Sequence, residues 1–274
     1  MSKLVIKIGG SFLTKKAMSE EFPGTLDLIL SEGRAFIEEE RLKSISVEIQ
    51  AVCRKHQVMI IHGAGPFGHA LVDRILSGAS IETLDVHRSM LFLNDALRAA
   101  LHGIGVNGVT TSPLDCVLFD GKFRTGELTA RMMELAKCGN VPISHGDIVR
   151  SSGMAGRLGD YEVISGDVVA RDLSLDWRAD SVIMVTDTDG ILDRDPAISG
   201  GKRIPRIEYH KCIEVLRGRA GRGADVTGGI LQKVTSCREP IFSDIPLKII
   251  SGLKRGNLTA AAEGAPVGTI IESG

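Results

Sequence analysis

The chain has 274 residues, of which 43% are apolar, 24% charged and 4% aromatic, a balance that excludes collagen-like, low-complexity and strongly disordered classes. Lys and Arg number 33 against 34 Asp and Glu, so no excess charge points to nucleic acid or an anionic membrane surface, and a bound anion must be held by local geometry. The five widely spaced cysteines suit free thiols in a reducing cytoplasm, and no stretch approaches the roughly 20 apolar residues of a membrane span.

Leu4-Val5-Ile6-Lys7-Ile8 reads as a short buried strand stopping on Gly9-Gly10-Ser11, with a helix expected only after a loop. The run is too short for the core of a signal peptide, so the N-terminus is expected to be structural. Leu42, Ile45, Ile49 and Val52 mark a helix within residues 41–55. A second strand, Gln57-Val58-Met59-Ile60-Ile61, stops at His62-Gly63-Ala64-Gly65. Two amphipathic helices follow, one through Leu71, Val72, Ile75 and Leu76, the other through Leu93, Ala96, Leu97, Ala100 and Leu101. A turn at Phe119-Asp120-Gly121-Lys122 leads to a helix with Leu128, Met132 and Leu135, closed by Gly139.

The strand-then-glycine pattern recurs at Val141–Ser144 before Gly146-Asp147, and at Val163-Ile164 before Ser165-Gly166-Asp167. It appears again at Ser181–Val185 before Thr186-Asp187-Thr188-Asp189-Gly190. Asp225-Val226-Thr227-Gly228-Gly229 opens a helix carrying Ile230, Val234 and Cys237, with Lys233 on another face. Leu247–Ile250 and Gly268–Ile271 read as the last strands. Alternating strands and helices predict an α/β fold: a three-layer αβα sandwich around a mainly parallel open sheet. In such sheets ligands bind beyond the carboxyl ends of strands, where these glycine clusters fall. The linker-like stretch 197–202 is too short to separate independent domains. One domain with two lobes is therefore expected, divided near residue 165.

Lys7-Ile8-Gly9-Gly10-Ser11 offers backbone amides with no Cβ in the way and a cation beside them, which suits phosphate. Alone it could be an ordinary strand-to-helix turn. It is neither the Walker A nor the dinucleotide G-x-G-x-x-G pattern. His62–His69 is a second glycine-rich loop, in which His69 is the candidate phosphate donor and His62 reads as structural. Asp187 and Asp189 could orient lysines or a Mg²⁺ ion, or simply make an Asp-Gly turn. Lys233 could lean over a phosphate at the start of its helix.

Taken together, these blocks resemble the amino acid kinase superfamily, and within it the archaeal-type isopentenyl phosphate kinases. Lys7-Ile8-Gly9-Gly10-Ser11 with Thr14-Lys15-Lys16 is similar to the family's K-x-G-G-S-x-x-T-x-K, whose two lysines, here Lys7 and Lys16, hold the transferring phosphoryl group. His62 to His69 is similar to H-G-[AG]-G-S-F-G-H, whose second histidine, here His69, contacts the acceptor's phosphate. Pro66 departs from the usual Ser and removes a backbone donor; Thr188 departs from a usual Val. The resemblance implies ATP with Mg²⁺ as cosubstrate and phosphorylation of isopentenyl phosphate. It also implies a homodimer formed through the N-terminal half.

The implied catalytic set is Lys7, Lys16, His69 and Asp187, with Asp187 organising the lysines. ATP is assigned to Lys7, Gly9, Gly10, Ser11, Gly65, Asp187, Asp189, Gly190, Gly228 and Lys233. The acceptor is assigned to Ala64, Gly65, Gly68, His69, Gly146, Asp147, Ser165 and Gly166. No protein metal site is expected, because Mg²⁺ enters with ATP. The acceptor lobe is 1–165 and the nucleotide lobe 166–274. Alternatives are a kinase for another phosphomonoester or a phosphonate, as in fosfomycin kinases, and a nucleotide- or oxyanion-binding protein without turnover.

Overall fold

The computed structural model describes residues 1–15, 21–194, 201–220 and 226–274. In chain order the strands are β1 (Lys3–Ile8), β2 (Gln57–His62), β3 (Gly108–Thr110), β4 (Leu118–Phe119), β5 (Phe123–Arg124) and β6 (Val141–His145). They continue with β7 (Asp147–Ser151), β8 (Tyr161–Ile164), β9 (Ser181–Thr186), β10 (Arg206–Glu208), β11 (Leu247–Ser251) and β12 (Thr269–Glu272). Eight of them form one sheet in the order β10-β12-β11-β9-β1-β2-β6-β3. The six from β11 to β3 run parallel, while β12 pairs antiparallel with β11 and carries β10 with it. The expected α/β class with a mainly parallel sheet is what the chain adopts.

Alternation along β1 builds the two cores. Leu4, Ile6 and Ile8 face one side, where they meet Leu42, Ile45 and Ile49 of the helix Glu39–Cys53 and Leu93 and Leu97 of the helix Thr83–His102. Val5 faces the other side, with Met59, Val182 and Met184, under Val169, Ala170 and Leu173 of the helix Gly166–Trp177. The strands are buried on both faces, which is why they read as short continuous apolar runs. All five cysteines are free thiols, and among the described residues no helix is long and apolar enough to cross a membrane.

Several expectations change. The chain turns helical directly at Gly10–Leu13, with no intervening loop. β8, expected in the main sheet, instead pairs antiparallel with β7 in a second sheet ordered β5-β4-β7-β8. The predicted turn at Phe119–Lys122 is the connection of the β4–β5 hairpin. β3 and β10 are additional short strands, at the two edges of the main sheet.

Candidate active site

The loops after β1 and β2 and the turn between β6 and β7 meet the N-terminus of the helix Gly166–Trp177 around a cleft of about 920 Å³. Lys7 lies at its floor. The period of two places Lys7 on the same face as Val5, under the helix whose first turn carries Asp167. Its ammonium pairs with Asp167 Oδ1 at 2.8 Å, and both residues are nearly closed to solvent, 5% and 6% exposed. Burial pushes the Asp167 carboxyl up, but the charges of Lys7 and Lys233 and the hydrogen bond from Lys7 outweigh it and hold its pKa below the ordinary value. Lys233, on the helix Val226–Ser236, lines the same cleft and donates to the Gly229 carbonyl at 3.2 Å. Burial and the nearby Lys7 lower its pKa against the pull of Asp167 and Asp187. Asp167 is thus the shared counter-charge of two lysines. The charge of Asp187, the expected organiser of the lysines, is felt at Lys233, while Lys7 takes its ion pair from Asp167.

The glycines around this floor divide into two kinds. Gly9 N–H donates to the Val185 carbonyl at 2.8 Å, Gly63 N–H to Ile8 and Gly146 N–H to His62, so these three amides extend the ladder past the strand ends. The assignment of Gly9 as a phosphate amide is therefore corrected. Gly10 and Ser11 start the short helix, where first-turn N–H groups have no intrahelical acceptor and stay available to an anion. Gly65 precedes the helix Pro66–Leu76 with φ of 54°, a conformation that suits glycine. Pro66 stands at the first position of that helix, where its missing N–H removes no helical bond.

His69, on the same helix, opens onto the cleft, with Ala64, Gly65, Gly68, Gly146, Ser165 and Gly166 along the lining. Burial lowers its pKa, and Lys7, Lys233 and Arg157 push the same way against Asp73, which favours the neutral ring. Val72, Val86, Met90, Phe123, Val163 and Ile164 form an aliphatic and aromatic wall in the same cleft.

Asp147 reaches the cleft, but its carboxylate is engaged inward. Oδ1 accepts from the Ile148 N–H at 2.8 Å, and Oδ2 lies 2.8 Å from His87 Nδ1 and 3.4 Å from Ser112 Oγ. It braces the wall of the cleft that it lines. Burial works against the His87 imidazolium, but the bond to Asp147 and the charges of Asp147 and Asp115 raise its pKa overall. A raised folded pKa contributes stability that is full below the ordinary histidine value and lost as pH rises through the folded value. We therefore expect His87→Gln to cost more stability at about pH 5.5 than at about pH 8.5 in urea unfolding, the two sides of the ordinary histidine pKa. His62, read as structural, is fully buried, and burial followed by the neighbouring His145 pushes its pKa down to about 3.

Asp187, Asp189 and Gly190 do not line the cleft. Asp189 pairs with Lys254 at 2.6 Å, and Gly190 is packed against Thr269 with φ of 83°. Lys16 lies outside the described residues, and Gly228 falls in the first turn of its helix, next to the cleft residue Gly229. Thr14, Lys15, Asp73, Arg157, Asp167 and Gln232 also line the cleft, and the sequence motifs assign them no role.

A model of the amino acid kinase family matches residues 2–251. This chain belongs to the amino acid kinase family. The isopentenyl phosphate kinase of Methanocaldococcus jannaschii is 25% identical to this chain, with 98% of each chain covered. That of Methanothermobacter thermautotrophicus is 27% identical, with 96% of each covered. A solved isopentenyl phosphate kinase structure superposes with a TM-score of 0.75 at 24% identity, covering 98% of this chain and 100% of the other, which supports the fold. The cleft of this family member thus sits at the carboxyl ends of parallel strands, where its fold class binds ligands.

Proposed function

We propose that the protein transfers the γ-phosphoryl group of ATP to isopentenyl phosphate, giving isopentenyl diphosphate. The observation that carries this reading is one cleft with Lys7, Lys233 and His69 at its polar end and Val72, Val86, Met90 and Phe123 on its wall. Such a site suits a small acceptor with a phosphate head and a short hydrocarbon tail. The full-length similarity to kinases bearing that name supports the choice.

A phosphomonoester has its second pKa near 6 and is mostly a dianion at pH 7, so the acceptor needs no general base. An acceptor oxygen attacks the γ-phosphorus as the bond to the β–γ bridging oxygen breaks, and ADP leaves with that electron pair. The protein's work is to hold two polyanions together and neutralise charge on the transferring group. Lys7, fixed by Asp167, lies beneath the transferring phosphoryl group; the Gly10 and Ser11 amides and Lys233 hold the ATP phosphates. Neutral His69 donates one N–H to the acceptor's phosphate. Lys16 is proposed as the second lysine on the transferring group. Mg²⁺ fits this donor set when carried by the triphosphate, which supplies charge neutralisation, since Mg²⁺ keeps most of its waters and needs few carboxylates.

The sheet order supports the proposed lobes. The strands β1, β2, β6 and β3 of residues 1–165 occupy one half, and β9, β11, β12 and β10 of residues 166–274 the other. A cytoplasmic homodimer completes the reading.

The test is ADP release measured with isopentenyl phosphate, dimethylallyl phosphate, fosfomycin, uridylate and acetylglutamate as acceptors. Isopentenyl phosphate should give the highest kcat/KM. Preference for fosfomycin or uridylate would assign another acceptor, and nucleotide binding without ADP release on any of them would mark a binding protein. His69→Ala should lower kcat/KM for the preferred acceptor by about 30-fold, the value of roughly 2 kcal/mol of hydrogen bonding to a charged group.

A further inference from the structure

Arg157 belongs to none of the sequence motifs, yet it lines the cleft on the turn between β7 and β8. That turn is closed by Gly156 N–H to Gly159 at 2.7 Å and Leu158 N–H to Tyr161 at 2.9 Å, and the Leu158 side chain is buried in the core. Glu162, beside the turn, is spent on backbone: Oε2 accepts from the Arg157 N–H at 3.0 Å and Oε1 from the Val163 N–H at 2.9 Å. Among the described residues no carboxylate forms an ion pair with the Arg157 guanidinium. A turn this constrained presents an uncompensated guanidinium to a cleft that also holds His69.

The charge of Arg157 is felt at the His69 ring, together with those of Lys7 and Lys233. The turn leads into Val163 and Ile164 of the apolar wall. A guanidinium offers a planar fork of donors that matches two oxygens of one phosphate.

We propose that Arg157 is a binding residue for the acceptor, its guanidinium holding the non-transferring oxygens of the acceptor's phosphate. The assignment rests on the reading that the acceptor is a phosphomonoester. It adds a side-chain anchor to the cleft beside His69 and the lysines.

The experiment compares wild type, Arg157→Ala and Arg157→Lys in steady-state kinetics with isopentenyl phosphate and ATP varied separately. Alongside, the His69 ring resonance is titrated with inorganic phosphate under saturating ADP. Arg157 is exposed, so equal urea midpoints are expected for all three proteins. Arg157→Ala should raise the acceptor KM about 10- to 100-fold, with the ATP KM within about twofold, and should weaken phosphate binding by a similar factor. Arg157→Lys should recover part of both. An acceptor KM unchanged in an active enzyme, or a rise confined to the ATP KM, would overturn the assignment and leave the proposed reaction standing. If wild type does not use isopentenyl phosphate, that acceptor falls and the phosphate titration decides alone. A weakened titration then upholds Arg157 as an anion contact, and an unchanged one overturns it.

Discussion

Lys7→Met is expected to lower kcat by about three orders of magnitude while leaving the KM values for ATP and acceptor within about tenfold. A fixed charge aimed at a transferring phosphoryl group stabilises the transition state more than the ground state, and losing one such group costs about 10³-fold or more. The same substitution removes the partner of a carboxylate that is only 6% exposed. Breaking a buried pair costs about 3–5 kcal/mol. Here about 2–3 kcal/mol is expected, because Lys233 remains near and the cleft admits water. The two effects separate in the double variant Lys7→Met/Asp167→Asn, which should regain most of the stability and none of the rate. The pH dependence has a definite sign. Asp167 has a lowered folded pKa, so its contribution is present above the ordinary carboxylate value and is lost as pH falls through the folded value. In Lys7→Met that lowering should largely disappear, and urea unfolding between about pH 3 and pH 7, spanning the ordinary carboxylate range, should show a weaker loss of stability in acid than in wild type. A variant that keeps near-normal turnover would remove Lys7 from the transferring group.

How far the sequence reveals such a site depends on whether a signal is local. β1, β2, β6 and β9 are legible because strands covered on both faces are short apolar runs, each ending where the chain must turn. β10 is not, since an edge strand of Arg206, Ile207 and Glu208 has no apolar period to detect. Lys7 stands out as a cation closing a strand, but its partner lies 160 positions onward and depends on the helix Gly166–Trp177 packing over β1. From sequence Asp167 is simply an acidic residue in a first helical turn after a Ser cap, where it would be read as complementing the helix dipole. Arg157 is hidden for the same reason: two flanking glycines announce a turn, and only the pairing of β7 with β8 brings that turn to the cleft. Gly9 errs in the opposite direction, because a glycine with a bare amide looks available until the neighbouring strand β9 supplies its acceptor.

Gly10→Ala should be nearly as damaging as loss of Lys7, although it removes no chemical group. A Cβ at residue 10 would lie 2.2 Å from the Gly65 backbone nitrogen and 2.8 Å from its Cα. Both are backbone atoms, so relief requires the β1 and β2 loops to part by an ångström or more. Gly65 cannot yield easily, since a Cβ-sized shift brings it toward Thr14, whose Oγ1 is already bonded to the Gly10 carbonyl at 2.7 Å. Nor can Gly63, whose N–H is tied to Ile8 at 2.8 Å and whose own Cβ position is 2.7 Å from Gly10 N. Overpacking of this kind costs about 1–3 kcal/mol, and the upper end is expected because the obstruction is backbone on both sides. Displacement of the two loops also separates the Gly10 and Ser11 amides from His69, which follows Gly65 on the helix Pro66–Leu76. Misplacement by about 1 Å can cost about 10² in rate, so a folded Gly10→Ala enzyme should show at least that loss in kcat. Gly78→Ala is the control: its φ of 89° carries backbone strain, yet nothing lies within 4 Å of its Cβ position, and it does not line the cleft. It should lose stability without losing kcat. Equal kcat in Gly10→Ala and wild type would mean that the close approach of the two loops does not set the distance between the Gly10 and Ser11 amides and His69.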